Sequence, residues 1–98
     1  MATGRELPIP SEVATASSAL EVGRIWVADG AQHVALATGL WSDPDAWGLV
    51  LADLARHIAR AYEQTGGPDQ AEALARIRTA LEVELGTPTD DPEGGIVN

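Results

Sequence analysis

The sequence has no cysteine, no lysine and no phenylalanine. Without cysteine there is no disulfide and no thiolate metal site, and the composition suits a reducing compartment. No apolar run approaches the ~20 residues of a membrane-spanning helix. The first residues carry Arg5 with no apolar stretch behind it, which does not read as a secretory leader. These absences together describe a soluble, cytoplasmic protein. Positive charge is also scarce: six arginines stand against fifteen acids, for a net charge of −9. Phosphate backbones and anionic lipid surfaces repel such a chain, so neither nucleic acid nor a membrane is an expected partner. Arg56 with Arg60, and Arg76 with Arg78, are the places where a local basic patch would form.

Catalytic motifs are missing too. There is no G-x-S-x-G, and the glycine-containing Thr65-Gly66-Gly67-Pro68 lies between helical patterns rather than after a strand, so it is no phosphate loop. The acids Asp90, Asp91 and Glu93 lack the spacing of a calcium loop. No cofactor is implied.

What is present divides the chain into three parts. Residues 1–10 hold two prolines and no periodicity, and read as a flexible arm. Residues 87–98, rich in proline, glycine and acid, read as an acidic disordered tail. Residues 11–86 make a single domain. A core of that size supplies only a few kcal/mol, about 3–5, and proteins so small gain from disulfides, metals or oligomerisation. With no cysteine and no metal-ligand spacing, oligomerisation is the remaining staple.

Residues 11–21, SEVATASSALE, form a weak apolar stripe with Ser11 as candidate N-cap; this predicts a short helix ended by Gly23. Next come two alternating runs around Asp29-Gly30, a dipeptide that suits the positive φ angles of a type I′ turn. That turn pairs Trp26 with His33 and Ile25 with Val34. Ile25, Val27, Val34 and Leu36 then share one face, while Arg24, Trp26, His33 and Ala35 share the other. A three-residue loop with a bulge at Gly30 would slip the register by one; the first register is preferred because it gathers all four aliphatics.

Asp43-Pro44-Asp45 announces a helix to about Gln64, with Asp43 as N-cap and Pro44 in the first turn. Trp47, Leu51, Leu54, Ile58 and Tyr62 form its apolar stripe. Gly66 suits the C-terminal cap, and Pro68 is placed to begin a last helix that ends near Leu85. The short break makes the two long helices an antiparallel hairpin. The expected architecture is α+β: a short helix, one β-hairpin, and two long helices packed on one sheet face, with a second copy of the chain completing the sheet.

The segments RIWVADGAQHVAL and LWSDPDAWGLVLADLARHIARAY resemble a family of uncharacterised bacterial proteins of about this length, known only as a domain of unknown function. The resemblance spans residues 20 to 85. It implies a bacterial cytosolic protein and carries no activity or catalytic residues.

Candidate site residues are few. Trp26, with Arg24, His33 and Ala35 on the same face, is a candidate interface anchor, since tryptophan and arginine are enriched at binding hot spots. Trp41 and Trp47 bracket the start of the long helix. Asp53 and His57 lie one helical turn apart, and with His33 would make the smallest set able to hold a metal or move a proton. The plainer reading has Asp53 fixing His57 through a hydrogen bond and His33 paired with Trp26 across the strands. The preferred functional expectation is a non-enzymatic, self-associating interaction or accessory module, forming a homodimer or higher oligomer, with room for an unidentified protein partner. The alternative is a small-molecule binder or minor enzyme with a pocket near Trp26, His33, Trp41 and His57.

Overall fold

The structure is a computed structural model that describes residues 6–87 and, as backbone, 96–97. In chain order its elements are α1 (Ser11–Ala14), β1 (Gly23–Ala28), β2 (Ala31–Leu36), α2 (Asp45–Gln64), α3 (Gln70–Gly86) and β3 (Ile96–Val97). The class is α+β, as the patterning requires. The expected arm falls partly, and the expected tail mostly, outside the described residues. Within the latter, Ile96–Val97 lies parallel to β2, pairing Val34 with Ile96 and Ala35 with Val97.

The β-hairpin has the two-residue turn. Asp29 takes φ 51° and Gly30 φ 80°, and the register sets Trp26 opposite His33 and Ile25 opposite Val34. Asp tolerates the left-handed region because its short polar side chain bonds locally, and glycine because it has no Cβ. The bulged alternative is not adopted.

The helix starts are local events. Pro44 already has helical dihedrals, and Asp43 Oδ1 accepts from the Asp45 N–H at 3.0 Å, so the Asp43 carboxylate satisfies one of the orphan donors. At the far end Gly66 has φ 92°; its N–H donates to the Glu63 carbonyl at 3.3 Å and the Gly67 N–H to the Tyr62 carbonyl at 2.8 Å. This is a Schellman cap, which closes the last carbonyls and turns the chain back. The next helix begins later than expected. Its first helical residue is Gln70 rather than Pro68, and Asp69 is its N-cap, extended at ψ 167° and accepting from the Glu72 N–H at 2.8 Å. A carboxylate outcompetes a bare proline because it accepts a hydrogen bond that proline cannot offer.

Two expectations about packing need correction. The helix predicted over 11–21 shrinks to the four residues of α1, with Pro10 rather than Ser11 at its N-cap and no buried residue. The Thr15 hydroxyl bonds back to the Ser11 carbonyl at 3.1 Å, the competition for backbone partners that ends a helix with no tertiary face. More consequentially, the long helices do not close over the β-hairpin. Among the described residues, strands pack on strands and α2 on α3, with no strand against either long helix. Ile25 and Val27, expected beneath the helices, are 61% and 77% exposed.

Among the described residues only Ala59 and Ala73 are buried, at 0% and 3% exposure. They sit on α2 and α3 and mark the seam where those helices meet, with Ala55, Leu74 and Ile77 half-buried nearby. At 3.6 residues per turn, the Ala55–Ala59 line lies roughly a fifth of a turn from the centre of the apolar stripe. The small side chains form the seam, and the larger ones, Leu51, Leu54, Ile58 and Tyr62, are left facing out.

Candidate functional site

The register places Arg24, Trp26, His33 and Ala35 on a common face of the β-hairpin, as expected. His33 is exposed, Trp26 is 37% exposed and Ala35 is half-buried. Arg24 is held at both ends: its Nε donates to Glu21 Oε2 at 2.8 Å, and its Nη1 pairs with Glu6. The two carboxylates, Glu21 foremost, raise the Arg24 pKa further above its already high ordinary value, so the guanidinium stays charged. The Glu21–Arg24 spacing of three was readable in the sequence, whereas Glu6 is eighteen residues away and carried no local signal.

Trp41 and Trp47 meet edge to face, their ring centroids 5.1 Å apart and planes at 80°. The pair joins the segment after β2 to the first turn of α2. Edge-to-face contact suits the aromatic quadrupole and adds about 0.5–1.5 kcal/mol beyond area burial.

The set of Asp53, His57 and His33 is not assembled. Asp53 turns to Arg56, which donates to its Oδ1 at 3.4 Å, rather than to His57. An arginine three residues away on the helix surface offers a charge-assisted partner, and His57, exposed beside it, is not fixed by the carboxylate. His33 lies on a strand that packs on neither long helix. Among the described residues no three histidine, aspartate or glutamate side chains converge on a possible metal position.

Of the residues expected to share a pocket, Trp26 and His33 lie on strands that pack on neither long helix, Trp41 precedes α2 and His57 lies within it. An open depression of about 270 Å³ is lined by Glu21, Gly23, Arg24, Ala35, Leu36 and Ala37. Of the residues singled out by sequence, Arg24 and Ala35 border it; the tryptophans and histidines do not. Sequence reasoning missed Gly23 and Ala37 because neither side chain carries chemistry.

No helix among the described residues is long and apolar enough to cross a membrane. No curated protein matches the chain. A solved structure from the photosynthetic bacterium Rhodopseudomonas palustrus, bearing the provisional name pyruvate dehydrogenase, is 37% identical over 100% of both chains, with a TM-score of 0.74. The two long helices alone are too small a share of the chain to carry such a score, so the likeness extends well beyond them. Residues 6–89, nearly the whole described region, match the domain of unknown function DUF5076, and the chain belongs to that family.

Proposed function

We propose that the protein is a non-enzymatic, self-associating module of the cytoplasm that acts through protein contacts. One observation carries this reading. Among the described residues only Ala59 and Ala73 are buried, while Ile25 and Val27 on the β-hairpin and Leu51, Leu54, Ile58 and Tyr62 on α2 are exposed. Leu49, Leu81, Val83 and Leu85 are exposed on the long helices as well. Large apolar side chains left open along one helix stripe and one strand face are the kind of surface that an interface covers. A second copy is the economical cover, and an assembled oligomer could then present its outer faces to a further protein.

The name borne by the Rhodopseudomonas palustrus protein is not carried over. Sedimentation velocity of the full chain at micromolar concentration tests the proposal. A dimer or larger species is expected; a strict monomer would remove the reading.

A further inference from the structure

We propose that β3, the C-terminal Ile96–Val97, is a detachable guard on the outer edge of β2, seated where a strand of another copy would otherwise add. The inference does not rest on the self-association reading. It says where strands are kept from pairing, not whether copies meet.

The register decides which backbone groups form that edge. The Ala37 N–H donates to the Val22 carbonyl at 3.0 Å, one step beyond the Gly23–Leu36 pair. Hydrogen-bonded and non-hydrogen-bonded pairs alternate along an antiparallel ladder, so Arg24–Ala35, Trp26–His33 and Ala28–Ala31 bond across the β-hairpin. Gln32, Val34 and Leu36 then turn their amides and carbonyls to the far side of β2. Gly23, Ile25 and Val27 do the same on the far side of β1.

The two edges start alike and end differently. In the strand order β1-β2-β3 only β2 is covered, with Val34 opposite Ile96 and Ala35 opposite Val97. In a parallel pair, a residue that faces its partner strand bonds to the residues on either side of the one opposite. The Val34 carbonyl is therefore placed to take the Val97 N–H, and the Leu36 N–H to reach the Val97 carbonyl. The Leu36 carbonyl is taken by the Thr38 N–H at 3.0 Å, which ends the edge there. A strand of two residues occupies these groups and is too short to offer a useful edge to a further chain. Very short edge strands are one of the ways natural sheets avoid templating another chain. Attachment to the same chain makes the pairing intramolecular, so a contact of a few hydrogen bonds persists, and so few bonds also release readily.

Two variants test the guard: a chain ending at Gly95, and full-length Val97→Pro, which removes the N–H and keeps the rest of the C-terminus. Amide exchange is read by NMR in the most dilute usable sample, and sedimentation velocity is run over a concentration series beside the full chain. In the full chain, Val34 and Leu36 should exchange more slowly than Ile25 and Val27. In either variant exchange at Val34 and Leu36 should quicken about fivefold or more, while the His33 and Ala35 amides change much less. Both variants should also associate at lower concentration than the full chain, through added strand pairing. Unchanged exchange would overturn the proposal, because β3 would then hold nothing. Faster exchange with an unaltered sedimentation series would overturn it too, since the contact would guard no edge. The self-association reading is judged on the full chain alone, so a monomeric full chain removes that reading and leaves this test intact.

Discussion

The β-hairpin and the helical hairpin are built alike, two antiparallel elements joined by a tight turn that uses a glycine at positive φ, yet they stand differently on their own. The helical pair has self-sufficient ends. Asp43 and Asp69 cap its two starts, a Schellman motif closes α2, and an alanine seam at Ala59 and Ala73 brings the helices together. The β-hairpin has register, a turn and the two-residue β3 beside β2, but Ile25 and Val27 stay open on its aliphatic face, and so small a sheet is marginal in water. The lesson is that local rules complete the helical half, while the β half needs apolar cover that its own helices do not give.

Perturbing each half separately breaks or sharpens that comparison. The largest effect is expected at the seam. Ala59→Leu forces a larger side chain where none fits and should cost about 1–3 kcal/mol. Thermal unfolding followed by helical circular dichroism would show a fall in midpoint of several degrees, the shift that such a cost produces in a small domain. A rise would mean the seam is looser than described.

Next is Gly30→Val, which puts a β-branched residue at φ 80° and should cost about 1–2 kcal/mol. Its effect should appear in the amide exchange of residues 23–36 and leave α2 and α3 protected. Because no strand packs on either long helix among the described residues, additivity discriminates. The Ala59→Leu, Gly30→Val double variant should be additive within about 0.5 kcal/mol at dilutions where the chain is monomeric, and should show coupling where it is assembled.

Smaller again is Asp69→Ala, which removes the α3 cap and should lower stability by about 1 kcal/mol, with fraying at Gln70–Glu72 in amide exchange. The smallest is Arg76→Ala. The Arg76–Glu72 pair, 3.8 Å apart and largely exposed, should contribute less than about 0.5 kcal/mol, so its chemical denaturation midpoint should barely move, least of all in high salt.

The legible parts of this fold were those decided within a few residues. Asp29-Gly30 set the turn and, through it, the whole strand register. Gly66 marked the end of α2, and Asp43-Pro44 its start. The Pro68 misreading is a near miss of the same local kind, since proline and aspartate both favour helix starts and only the hydrogen bond to Glu72 decides between them. What escaped was directional. A stripe of Leu51, Leu54, Ile58 and Tyr62 says that something must cover that side of α2, not what does. Alanines look like filler beside such a stripe, yet Ala59 and Ala73 form the contact because small side chains let two helices approach. The supposed site failed for a related reason: Asp53 had a histidine four residues on and an arginine three on, and the charged partner won.

The Trp41–Trp47 pair sits on the segment that links the two halves. Indole rings 5.1 Å apart exchange excitation energy, so their absorption and emission depend on their mutual setting. A swing of the linker that parts the rings would change that optical signal without any added label, while Trp26, far along the β-hairpin, would report only on whatever comes to rest against it. The molecule thus carries two intrinsic gauges, one for its hinge and one for its exposed strand face.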